Sequence, residues 1–169
     1  MYSPCLMVYG PSMASERPMR RPQTEVLERK EIEAILERAE VIYLGIRDEE
    51  APYVLPVNFG FEGDTLFVHC GPKGAKIDLI LQDPRVGFSA HADLQIIAGD
   101  TACDFSARAS SVVGRGRARI VQDEQEKVRG LDAIMRHYGA TRPTYRPESL
   151  ARTCVLAVDI EALRARRIG

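Results

Sequence analysis

Between residues 41 and 70, three strand-like segments follow one another with almost nothing between them. "VIYLGIR" (41–47) and "PYVLPVNFGF" (52–61) are separated by the polar Asp48, Glu49 and Glu50, and "EGD" (62–64) leads into "TLFVHC" (65–70). A parallel crossover needs a dozen or more residues, so connections this short permit only antiparallel neighbours. A meander at the heart of the chain therefore excludes the strict strand–helix alternation of a dinucleotide-binding sheet.

The flanking segments fit around that meander. Ile32, Ile35, Leu36 and Ala39 recur at the spacing of one helix face within 24–39. Ile77, Ile80 and Leu81 predict a short helix that Asp83-Pro84 stops. "RVGFSAHA" (85–92) is a fourth strand, 93–106 a loop or weak hairpin, and "SSVVGRGRARIV" (110–121) a fifth and longest strand. Asp123 and Glu126 have capping-box spacing. Val128, Leu131, Met135 and Tyr138 give the helix at 123–138 an apolar stripe. "CVLAVDI" (154–160) is the last strand, and the basic end "LRARRIG" (163–169) reads as solvated. The expected class is α+β, with six antiparallel strands closing into a small barrel to hide their edges. At 169 residues the chain fits one domain at 23–169. Residues 1–22 are expected to form a poorly ordered arm, or one that packs on a partner.

Net charge narrows the partners. A balance of −1 gives no bulk attraction to nucleic acid or to an acidic membrane, and no segment approaches transmembrane length. The four cysteines, Cys5, Cys70, Cys103 and Cys154, form no C-x-x-C pair, which argues against a zinc site and a compact disulfide framework. A reduced, cytoplasmic setting is the simplest expectation. His69, His91 and His137 are widely separated in sequence, and no G-x-S-x-G is present, so neither metal-dependent nor serine hydrolysis is indicated.

The densest chemistry lies in "HCGPKGAK" (69–76). A turn entering a helix exposes unpaired N–H groups at the positive end of the helix dipole. Gly71 and Gly74 allow close backbone approach, and Lys73 and Lys76 add full charges, which together suit a phosphate. The same pattern also describes an ordinary turn with two solvated lysines. His69 is either a ligand contact and proton donor near neutral pH or a satisfied structural histidine. Strand alternation sends His69 and Cys70 to opposite faces, against a Cys–His catalytic pair. In "LPVNF", Pro56 requires an edge or bulge, and Asn58 is a poor strand former whose amide could reach a planar polar ligand. Arg115, Arg117 and Arg119 share one face of the fifth strand. Gly114, Gly116 and Ala118 share the other, where a subunit or a flat ligand could pack closely.

The run "PYVLPVNFGFEGDTLFVHCGPKGAKIDLILQDPRVGFSA", followed by "SSVVGRGRARIVQDEQEK", resembles the pyridoxamine 5′-phosphate oxidase-related flavoproteins, in particular the nitroimidazole-resistance branch. The resemblance covers roughly residues 20–160. It implies a split-barrel homodimer with FMN in two clefts at the subunit interface, reducing a small organic acceptor with NADH or NADPH as donor. It places Leu55, Pro56, Val57, Asn58 and Phe59 along the flavin. It assigns His69, Cys70, Lys73, Gly74 and Lys76 to the phosphate turn, and brings Ser110 and Ser111 to the cofactor near the interface. His69 matches a histidine close to flavin and substrate, the implied catalytic residue. Ala109 stands where the family usually has an aromatic residue, and "EALRARRIG" replaces its terminal Gly-Lys signature. The substrate-binding arginine and histidine of true pyridoxamine-phosphate oxidases are absent, so vitamin B6 oxidation is not implied. A cofactor-binding module holding FMN or haem without turnover is the alternative.

Overall fold

The computed structural model describes residues 18–169; residues 1–17, most of the expected arm, lie outside the described residues. In chain order the elements are β1 (Glu25–Val26), α1 (Arg29–Arg38), β2 (Ile42–Ile46), β3 (Tyr53–Val57), β4 (Gly60–Glu62), β5 (Thr65–Cys70), α2 (Ala75–Gln82), β6 (Arg85–Ile97), β7 (Ser106–Ile120), α3 (Glu124–His137), α4 (Pro147–Arg152) and β8 (Cys154–Ile168). The α+β class stands, with eight strands where six were expected. The two additional strands, β1 and β4, hold two and three residues, too few for alternation to register.

The strands form one antiparallel sheet in the order β3-β2-β6-β7-β8-β5-β4, with β1 on β8. Its two edge strands, β3 and β4, are joined only by Asn58 and Phe59. A chain spans at most about 3.6 Å per residue, so both edges lie within about 11 Å of each other. The sheet must therefore curl into a barrel, split between β3 and β4.

Pairing register decides what fills it. One row runs Val57–Ile42–Ala90–Val112–Ala165 across five strands, and every member is buried. The next row, Pro56–Tyr43–Ser89–Val113–Arg164, faces outward, with Val113 51% exposed. Ile32, Ile35 and Leu36 of α1 and Ile77 and Ile80 of α2 complete this main core. On the far side of β5 and β8, α3 covers a second cluster built on Phe67, Leu131, Ile134, Val155 and Ala157. Consecutive burial of Val155 through Val158 follows, because both faces of β8 are covered there.

Several expectations change in detail. The segment 93–106 is the continuation of the β6–β7 hairpin: a bulge at Asp93 (φ 59°) interrupts the register, which resumes at Gln95↔Arg108. "LRARRIG" is not a solvated end but the second half of β8, with Leu163 and Ala165 inward and Arg164 paired to Glu25 at 2.8 Å. Its alternation was legible, but its arginines outweigh the two inward apolar residues. The small face of β7 serves the chain's own core, since a Cβ at Gly114 would strike the Phe88 ring and Leu163.

Helix α3 begins as its sequence predicts. The Asp123 carboxylate accepts from the Glu126 N–H at 2.7 Å. Glu126 does not reach back to complete the box; it accepts from Arg119 at 2.8 and 3.0 Å, and Arg119 also donates to Asp159 at 2.9 Å. The guanidinium, through these hydrogen bonds, holds Glu126 below the usual carboxylate range. At its other end α3 fixes the edge-to-edge link. Tyr138 Oη donates to the Glu40 carbonyl at 2.6 Å and accepts from the Phe59 N–H at 3.3 Å. His137 packs on the Phe59 ring with centroids 4.3 Å apart, its Nε2 lying 2.8 Å from the Ala39 carbonyl. Among the described residues no helix is long and apolar enough to cross a membrane.

Candidate functional site

Strand β5 ends at Cys70, and α2 starts five residues later. Gly74 caps α2 with φ 123° and ψ 168° and offers no side-chain cap. That φ favours glycine, because a Cβ would crowd the backbone there. The Gly74 carbonyl accepts from the N–H groups of Ile77 (2.8 Å) and Asp78 (3.2 Å). The N–H groups of Ala75 and Lys76 precede any helical acceptor and are left to an outside partner. A Cβ built on Gly71 or Gly74 would meet nothing within 4 Å, so both glycines border open space. Lys73 is exposed and Lys76 half-buried, and among the described residues no ion pair claims either ammonium. An uncapped helix start, open glycines and two unengaged cations form a cradle whose chemistry fits a phosphate.

The barrel split brings the other motif to this turn. Gly60 pairs with Phe67 and Glu62 with Thr65, so the chain upstream of Gly60 runs toward the Cys70 end of β5. Asn58 is exposed there. Leu55 is half-buried against the core, Pro56 exposed and opposite Tyr43, and Val57 buried. The Phe59 side chain is fully buried, which confines any ligand contact from this residue to its main chain.

His69 is exposed and faces away from the main core, on the side of β5 that α3 and α4 cover. It lines a small cavity of about 120 Å³ with Leu131, Ile134, Tyr145 and Leu150. Tyr145 Oη donates to Asp132 at 2.8 Å, and burial together with that carboxylate pushes the phenol up, so it stays protonated. Cys70 takes the opposite face, as alternation predicts, and lies across from Cys154. Sequence reasoning missed Cys154, because no local signal announces a partner on a distant strand.

Ser110 and Ser111 are not gathered at the turn. Ser110 is buried, on the side of Asp93, which Arg38 anchors at 2.9 Å and, with a smaller contribution from Ser110, holds below the usual carboxylate range. Ser111 faces outward into a groove of about 550 Å³ with Val113, Arg115, Leu163 and Arg166. On β8, Ser110 and Ser111 pair with Arg167 and Arg166 whereas Cys70 pairs with Cys154, so the serines and the turn lie toward opposite ends of that strand. Of the groove's arginines, Arg164 and Arg166 were also missed, since they lie in the terminal run read as solvated; Arg115 was singled out on the fifth strand. His91 belongs to the same outward face, stacked on Tyr43 with centroids 6.3 Å apart. Among the described residues no cluster of three His, Cys, Asp or Glu could hold a metal.

Comparison with known proteins agrees with this architecture. A candidate 5-nitroimidazole antibiotic resistance protein from Bacteroides thetaiotaomicron has a similar structure, with 31% identity, 85% of this chain and 86% of that chain covered, and a TM-score of 0.76. The FAD- and haem-binding protein from Mycobacterium smegmatis shares the fold at 19% identity, covering 85% and 73% of the two chains, with a TM-score of 0.74. An FAD-binding protein from Mesorhizobium loti shares it at 20% identity, covering 85% and 96%, with a TM-score of 0.61. No curated protein sequence matches. The family described as pyridoxamine 5′-phosphate oxidase matches residues 28–167. With nearly the whole split barrel inside that match, the chain belongs to the pyridoxamine 5′-phosphate oxidase family.

Proposed function

We propose that this protein is an FMN-binding flavoprotein, working as a homodimer, that reduces a small organic acceptor such as a nitroaromatic compound. The observation that carries this reading is the turn at Gly71–Lys76, whose free N–H groups and two unengaged lysines sit beside the split between β3 and β4. Flavin binding is also in keeping with the FAD-binding names of two structural relatives.

A bound flavin supplies two-electron transfer between a nicotinamide donor and the acceptor. The chain's own residues would bind and orient. Lys73, Lys76 and the N–H groups opening α2 hold the phosphate, and Asn58 offers an amide to the polar edge of the ring system. His69, exposed beside the turn, gives a proton from a ring nitrogen to the acceptor. A second copy covers the outward face of β3-β2-β6-β7, where Val54, Tyr43 and Val113 are exposed. It also brings Ser111 and the groove arginines of one chain to the cofactor of the other.

The second reading is a carrier that holds FAD or haem without turnover, which the names of the more distant relatives favour. Anaerobic mixing separates the two. With FMN bound, NADH or NADPH is expected to bleach the flavin band, and a 5-nitroimidazole to restore it. Persistence of either state supports the carrier. His69→Ala is expected to keep the flavin spectrum while slowing reoxidation by the acceptor about 100-fold, within the range for a lost proton donor. An unchanged reoxidation rate removes His69 from the chemistry.

A further inference from the structure

The cysteines give no local motif, but the sheet brings two of them together. In the antiparallel register of β5 and β8, Cys70 stands directly opposite Cys154. Facing residues in such a ladder have Cα atoms about 4.5–5.5 Å apart, inside the roughly 4.4–6.8 Å that a disulfide spans. Both side chains pack against the same apolar cluster, so they project from the same face of the sheet. Both are half-buried, whereas Cys103 is exposed. Among the described residues no third ligating side chain joins them, so the arrangement is a dithiol pair and not a metal set.

Burial, then the neighbouring Cys154, pushes the Cys70 thiol up to about 11, and the Lys76 ammonium works against that rise. Reduced Cys70 is thus protonated at neutral pH, and its reaction proceeds through the small thiolate fraction that Lys76 favours.

We propose that Cys70 and Cys154 form a redox-active dithiol that closes reversibly to an intramolecular disulfide by exchange with a low-molecular-weight disulfide. One protein thiolate attacks a sulfur of the small disulfide, whose S–S bond breaks. A mixed disulfide forms, and the first small thiolate leaves and takes up a proton. The second protein sulfur, losing its proton, attacks the protein-side sulfur of the mixed disulfide and expels the second small thiol. Two electrons pass from the protein pair to the small disulfide, which ends as two thiols. The cross-link would tie the end of β5, from which the Gly71–Lys76 turn springs, to the start of β8. It does not depend on the flavin reading.

The test uses the full chain, reduced, desalted and titrated with oxidised glutathione. Cys70 and Cys154 are expected to lose both free thiols with no glutathione left on either, whereas the exposed Cys103 takes up one glutathione. Peptide mapping without reduction should show Cys70 joined to Cys154, and dithiothreitol should reverse these changes. Cys103→Ser should form the same cross-link as the wild type, while Cys70→Ser and Cys154→Ser each stop at a mixed disulfide with one glutathione on the remaining cysteine of the pair. A cross-link through Cys103 or Cys5, a covalent dimer, or free thiols that persist at Cys70 and Cys154 would overturn the proposal. Mapping of the wild-type chain decides the matter even where a serine variant does not fold.

Discussion

Replacing Lys73 and Lys76 together with alanine is expected to weaken FMN binding about 10- to 100-fold. A hydrogen bond to a charged group contributes about 1.5–3 kcal/mol, and tenfold in affinity corresponds to about 1.4 kcal/mol. Lys73 is exposed and its attraction is screened by water and salt. The pair together is therefore placed near the contribution of one good charged contact, not two. Both side chains lie outside the apolar core, so the thermal midpoint should not move. Fluorescence titration with FMN measures the effect, and riboflavin, which lacks the phosphate, supplies the control. Wild type and variant should bind riboflavin alike. Raising ionic strength should weaken FMN binding more in the wild type than in the variant. Equal FMN affinity in the two proteins would remove the turn from the phosphate site.

Gly60→Ala is expected to be the most destabilising of the single small substitutions near the split. A Cβ there would lie 2.7 Å from the Ala133 carbonyl oxygen, and closer still to the Ala133 carbonyl carbon and the Ile134 nitrogen. These are backbone atoms of α3, which no rotamer change can move aside. The helix must shift off β4, and with it Ala133 and Ile134, both buried in the second cluster. Overpacking costs about 1–3 kcal/mol and occasionally more; the upper end is expected here, a fall of roughly 10 °C in Tm for a domain of this size. The same shift would loosen Tyr138, whose hydroxyl holds the Phe59 N–H and the Glu40 carbonyl, so flavin affinity should fall as well. Gly63→Ala is the comparison. Gly63 has φ 62° but open space around it, so it carries only local backbone strain of about 1 kcal/mol. A melt by circular dichroism in which Gly60→Ala matches Gly63→Ala would contradict the packing account.

How much of this was legible in the sequence depends on the range of the interaction. The meander at 41–70, the helix from 75 to 82 and the cap at Asp123 are written in alternation, periodicity and turn chemistry within a few residues. The turn proposed for the phosphate could be singled out for the same reason: glycines, lysines and the strand-to-helix switch all fall between 69 and 76. "LPVNFGF" could be read as one strand because its run of apolar residues continues past Asn58; the closure of the barrel breaks it into β3 and β4. The β6–β7 extension was hidden by a single residue, Asp93, whose positive φ resets the alternation. Cross-strand relations were not legible at all. Cys70 meets Cys154, and Ser111 meets Arg166, only because of pairings between strands far apart in sequence. The separation of Ser110 and Ser111 from the turn follows from the same register.

The central claim is that the cradle at Gly71–Lys76 serves FMN. Its most direct test is to purify the full chain without added flavin, record its absorbance and identify what it releases on denaturation. The account predicts a yellow protein that releases FMN, one per chain. Release of FAD, a red protein with a haem Soret band, or a colourless protein that takes up no FMN would contradict it.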